Sequence, residues 1–185
     1  MSLPELLTQL RQDASRAVPA FGAESVRLAR SLGGAATELL LEQVSARGET
    51  AFLALEALRA SDPAAYDALP AGERAEIYVA TLRTNLFYNT WGLPRYHLTE
   101  TTRAFLALKE DAVNLLLPLL ADQRPAPLSG SQDATTSAMY KNRVCDYAWV
   151  FICEIRQRPY TYSQDPAERD RSIEALRQEE RGGAP

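Results

Sequence analysis

The sequence predicts an all-helical fold, and three observations carry that prediction. Alanine is the commonest residue, and of the 20 basic residues only Lys109 and Lys141 are lysine, the rest arginine. Alanine and arginine lose little freedom in a helix, so this composition leans helical. Apolar residues recur at helical spacing, whereas runs of Val, Ile and Thr with period-2 alternation do not occur. Helix-start signals recur along the whole chain.

Taken in order, Ser2 stands ahead of Pro4 and Glu5 in capping-box spacing and opens a helix over 3–15. Segments 23–32, 35–47 and 49–60 follow, with Gly33-Gly34 and Gly48 supplying breaks. Asp62-Pro63 pairs a side-chain acceptor with a proline suited to the first helical position. The periodicity then predicts helices over 72–90, 99–109 (opened by Thr99), 111–121, a long one over 135–157, and 166–180. Asp165-Pro166, with Glu168 three residues on, marks the last start. Most connections are short, which makes successive helices pack as antiparallel hairpins.

Connection 122–135 is the exception, because it is long and its prolines forbid helix. The expected organisation is one helical domain over 1–160, then a C-terminal helix and loose tail over 161–185. That helix has few apolar positions, mainly Ile173, Ala175 and Leu176, so weak docking is expected.

A net charge of −4, with acidic and basic residues interspersed, leaves no basic stripe for nucleic acid. Cys145 and Cys153 fall in one predicted helix, about 12 Å apart along its axis at 1.5 Å per residue. That exceeds the α-carbon span of roughly 7 Å a disulfide can bridge, so both are expected as buried free thiols. No apolar run approaches the roughly 18 residues that suggest a membrane span. The N-terminus lacks the charge and apolar pattern of a secretory signal, so a cytoplasmic location is expected. No Cys-x-x-Cys, P-loop, Gly-x-Ser-x-Gly or dinucleotide fingerprint occurs, and neither a metal nor a cofactor is expected.

Residues 103–122, Arg-Ala-Phe-Leu-Ala-Leu-Lys-Glu-Asp-Ala-Val-Asn-Leu-Leu-Leu-Pro-Leu-Leu-Ala-Asp, resemble a HEAT-type repeat. Arg143-Val144-Cys145-Asp146-Tyr147-Ala148 resembles the first helix of a following repeat, so the resemblance covers mainly residues 99–157. It implies a short, irregular α-solenoid of stacked helical hairpins, a family whose members usually bind proteins. Some twenty residues separate Asp122 from Arg143, where the family normally passes in a few, and the N-terminal half matches poorly. By analogy of size, acidity and fold, one form of such a role is a bacterial immunity or inhibitor protein, or an adaptor.

Within the long predicted helix, Tyr140, Val144, Tyr147, Ala148, Phe151 and Ile155 form one apolar stripe, with Cys145, Trp149 and Ile152 beside it. The remaining stripe carries Arg143, Asp146, Glu154 and Arg158, with Arg143–Asp146 and Glu154–Arg158 spaced to pair. With Asp122, these residues are expected to form a structural polar network. Phe87 to His97 places aromatics around a bend at Gly92 and Pro94. Trp91, Arg95, Tyr96 and His97 are candidate binding residues there, since Trp, Tyr and Arg dominate interface hot spots; core plugging is the competing role. The loop adds Arg124, Ser131 and Asp133. The expected function is a non-enzymatic scaffold that binds another protein. The alternatives are an enzyme with an acidic and aromatic site around 122–136, enlisting Asp133, Tyr140, Asp146 or His97, and a HEAT-like nucleic-acid binder.

Overall fold

Four helix starts are set by side chains acting within one turn. The computed structural model describes residues 2–84, 88–128 and 132–182, without the side chains of Tyr88, His97, Gln132 and Asp133. The Ser2 N–H donates to Glu5 Oε2 at 2.7 Å. The Asp62 carboxylate accepts from the Ala65 N–H at 3.1 Å, the Thr99 hydroxyl from Thr102 at 3.3 Å, and Asp165 from Ala167 at 2.9 Å. Each satisfies an N–H that the first helical turn leaves without a partner.

Among the described residues the fold is helical apart from one minimal ladder and an isolated bridge between Pro125 and Arg143, and the chain divides into two compact units, Met1–Thr81 and Leu82–Pro185. The first holds α1 (Leu3–Ser15), α2 (Glu24–Leu32), α3 (Thr37–Ser45), α4 (Ala51–Ser61), α5 (Pro63–Ala68) and most of α6 (Ala71–Arg83). Helix α4 is its centre, buried from Ala51 through Leu58 and packed on α2, α3, α5 and α1. Two carboxylates are buried with it, and both are satisfied. Asp13 of α1 accepts from the Ser25 N–H at 2.8 Å, so it caps the start of α2 from another helix. Glu56 accepts from Arg59 at 2.8 Å and from the Tyr78 hydroxyl at 2.6 Å.

The second unit holds α7 (Tyr88–Trp91), the antiparallel pair β1 (Gly92–Leu93) and β2 (His97–Leu98), α8 (Glu100–Leu106), α9 (Glu110–Leu116), α10 (Gln132–Tyr140), α11 (Val144–Ile155) and α12 (Pro166–Gly182). Helix α11 is its centre, buried at every residue from Val144 to Cys153. It packs on α8, α9, α12 and a 3₁₀ turn, Leu117–Ala121. Trp91, Phe105 and Phe151 meet with ring centroids 5.6–5.7 Å apart, a geometry in which edges face ring planes. Tyr147, beside Phe151, donates its hydroxyl to the Gly92 carbonyl at 3.0 Å and so anchors the bend.

Several expected elements are corrected. The helix over 135–157 is two, α10 and α11, broken at Lys141–Arg143. Lys141 turns left-handed at φ 50°, and Arg143 is extended, its N–H donating to Asp146 Oδ2 at 2.9 Å. Tyr140 therefore lies on α10, outside the α11 stripe. The helix over 72–90 ends at Arg83, whose carbonyl accepts from the Arg124 guanidinium at 2.8 Å. A side chain thus satisfies a carbonyl left over at the helix end. Segment 111–121 passes into the 3₁₀ turn at Leu117, next to Pro118, which has no N–H for the α-helical ladder. The Asp62-Pro63 signal opens the short α5, which the periodicity did not predict. Of the expected loose tail, Gly-Gly-Ala-Pro at 182–185, Gly182 closes α12 and 183–185 lie outside the described residues.

Candidate functional site

The long connection is held by backbone pairing. After the 3₁₀ turn, residues 122–126 run alongside 142–145. The Cys145 N–H donates to the Asp122 carbonyl at 2.8 Å, Val144 to Arg124 at 3.0 Å, and Ala126 to Asn142 at 2.8 Å. Arg124 grips the Asp122 carboxylate at 2.5–3.1 Å and holds its pKa below the usual carboxylate range. This ribbon explains why one predicted helix became two. Asn142, Val144 and Cys145 spend backbone groups on the incoming loop, so the α10 helix stops before them.

Under this ribbon lies the buried charge of the unit. Asp146, fully buried, accepts from Arg143 at 2.9 Å and from Arg169 at 3.0 Å. Arg169 sits in α12 and is also 0% exposed. Its guanidinium donates further to the carbonyls of Ser163 at 2.7 Å and Tyr140 at 2.7 Å. One side chain thereby closes the end of α10, the start of α11 and the entry to α12, while its charge is matched by Asp146. Arg143 pairs additionally with Asp170 at 2.7 Å. Arg169 is the residue that sequence reasoning missed. Only its position one turn after the Asp165 cap hinted that it could reach back. With Ile173 and Leu176 also buried, α12 is anchored more firmly than its sparse apolar residues suggested.

Between the ribbon and α10 opens a cleft of about 510 Å³. One wall is Gln123, Pro125, Pro127 and Leu128. The other is a stripe of α10, Ala134, Ser137 and Ala138, continuing to Lys141, with Asn142, Arg143 and Pro166 completing the lining. Residues spaced i, i+3 and i+4 share a helix face, and here that face meets the cleft. Small side chains on α10 leave the space open. Asn142 is 4% exposed. Its Oδ1 accepts from the Tyr162 hydroxyl at 2.7 Å, and its Nδ2 is buried without an acceptor. An unsatisfied buried donor costs about 1–3 kcal/mol. Burial pushes the Tyr162 pKa up, and the nearby Asp146 carboxylate adds to it, so its hydroxyl stays protonated as a donor to Asn142.

The candidate binding residues are spread apart. Arg124 belongs to the cleft's ribbon. Trp91 is a wholly buried core ring, so its role is the core plug. Arg95 turns at φ 72° and donates to the Tyr162 carbonyl at 3.2 Å. Tyr96, 53% exposed, shares a hydrogen bond of 2.6 Å with the Tyr140 hydroxyl at the end of α10. The His97 and Asp133 side chains and the whole of Ser131 lie outside the described residues. In the expected polar network, Arg143 and Asp146 meet as spaced. Glu154 and Arg158 turn elsewhere, Glu154 accepting from Tyr160 at 2.6 Å and Arg158 pairing with Glu179 of α12 at 2.6 Å. Their helical spacing is lost because α11 ends at Ile155 and Gln157 turns left-handed.

Cys145 and Cys153 are buried and free, and burial pushes their pKa values up to about 12 and about 11. Such thiols are poor nucleophiles near neutral pH, since the thiolate is the reactive form. Among the described residues no three His, Cys, Asp or Glu side chains gather as a metal site requires, and no helix is long and apolar enough to cross a membrane. In comparisons with protein-family models, curated proteins and solved structures, nothing matches this chain.

Proposed function

We propose that this chain is a non-catalytic binding protein, a short irregular stack of HEAT-like hairpins that receives a segment of another protein in the cleft beside α10. The observation that carries this reading is the inner stripe of α10, which faces about 510 Å³ of open space. A cleft of roughly 300–1,000 Å³ lined mainly by apolar groups with a few polar ones is the usual form of a binding site. Two described carboxylates that an enzyme would draw on nearby are already engaged. Asp146 is matched by two arginines, and Asp122 is held by Arg124.

Selection of displayed random peptides against the intact protein tests the proposal. Peptides that bind wild type and lose at least about tenfold in affinity, about 1.4 kcal/mol, on the cleft-filling variant Ala138→Trp support it. Failure to enrich any peptide, or equal binding to both proteins, overturns it.

A further inference from the structure

We infer, resting on the cleft as the binding element, that its occupant is the free C-terminus of a partner chain ending in apolar residues. Three features at one end of the cleft converge on a carboxylate. The described lining side chains carry two cations, Lys141 and Arg143, and no carboxylate. Arg143 is engaged by Asp146 and Asp170, whereas Lys141 is exposed and forms no ion pair among the described residues. Among the described residues the uncompensated charge at the rim is therefore that of Lys141. Beside it stands Asn142, with its unsatisfied amide donor.

The end of a helix normally repels anions, because its last carbonyls carry partial negative charge. Here Arg169 covers that end, donating to the carbonyls of Tyr140 at 2.7 Å and Lys141 at 3.5 Å. Beyond this polar end the walls are Pro125, Pro127, Leu128, Ala134 and Ala138, fitted to apolar side chains. A carboxylate accepts from an amide N–H and pairs with an ammonium group, and capture of a chain's terminal carboxylate by N–H donors is an established mode of peptide recognition. The cleft's volume suits a few residues rather than a folded surface. A chain end supplies the charge and the apolar side chains together.

Two pools of fluorescein-labelled Gly-Gly-x-x-x peptides, with x drawn from Leu, Val, Ile and Ala, test the inference by fluorescence polarisation. One pool ends in a free carboxylate and the other in a carboxamide. The free-acid pool is expected to bind wild type about tenfold more tightly, as hydrogen bonds to a charged group warrant. Lys141→Gln is expected to reduce that preference about threefold, as 0.5 M salt also does. Thermal melts establish that the variant is folded, and Gln157 shows that glutamine adopts the left-handed conformation in this chain. Equal binding of acid and carboxamide, or a preference unmoved by Lys141→Gln, overturns the inference and leaves the cleft as a binding element. Binding by neither pool also overturns it, and the peptide selection against Ala138→Trp then decides the wider reading separately.

Discussion

Helices α10 and α11 are separated by three residues and have opposite fates. Helix α11 is built from Val144, Tyr147, Trp149, Phe151 and Ile152, residues too large to lie beside one another without excluding water, and its neighbours close around it. Helix α10 is built from alanine, serine and threonine around Met139, which is 57% exposed. Of its described side chains only Ser137 is buried. The first helix gains stability from packing. The second is held at its C-terminal end by Arg169 and gains an open face instead. Burial made one helix a core, and small side chains made the other the wall of a cleft.

The largest contrast is expected in thiol chemistry. A cysteine introduced as Met139→Cys on α10 reacts with a thiol reagent at pH 8 as an ordinary exposed thiol. Native Cys145 and Cys153, with pKa values raised to about 12 and about 11, react at least about a hundredfold more slowly. Comparable rates at all three positions would mean that α11 is not the closed helix described. Next comes Asp146→Asn, which leaves the buried Arg169 without its counter-charge and is expected to cost roughly 3–5 kcal/mol by urea unfolding. Phe151→Ala opens a cavity among Trp91, Phe105 and Tyr147, at a cost of about 3–5 kcal/mol in the same assay. A loss under about 1 kcal/mol from either would remove α11 from the centre of the second unit.

Acidification has a smaller effect. Hydrogen bonds from Arg156 and Arg124 hold the pKa values of Glu110 and Asp122 below their ordinary values. A carboxylate with a depressed folded pKa contributes stability that is fully present above its unfolded pKa and is lost as pH falls through the folded value. Stability is therefore expected to fall below about pH 4, the ordinary carboxylate range, and Arg124→Ala to flatten that fall while lowering stability at neutral pH. A melting temperature independent of pH between 5 and 2.5 would contradict this. The smallest effect belongs to exposed Thr135 of α10. Its change to alanine is expected to alter stability by no more than about 0.5 kcal/mol, against the several expected on α11.

Features set by neighbouring residues are legible in the sequence, whereas those that need distant partners are not. Tyr147, Phe151 and Cys145 were readable as core from periodicity alone, and the Arg143–Asp146 pair from its spacing. The pairing of Glu154 with Arg158 assumed a helix continuing past Ile155, and the chain turns there. The cleft was legible only as a long proline-bearing connection. Its other wall was hidden, because Ala134, Ser137 and Ala138 read as ordinary helix, and nothing local shows that a helix face meets open space.

Residue order alone settled where most helices begin and which residues avoid water, since a capping carboxylate or hydroxyl finds its N–H within two or three residues and periodicity is a property of one segment. Long-range geometry settled the rest. Asp13 caps a helix twelve residues on, at Ser25, and Arg169 reaches Asp146, 23 residues earlier. The Ala126 N–H meets the Asn142 carbonyl only once the loop has folded back. Such partners are chosen by the packing of whole elements, because a buried charge or backbone group takes whichever matching group the fold brings within hydrogen-bond distance.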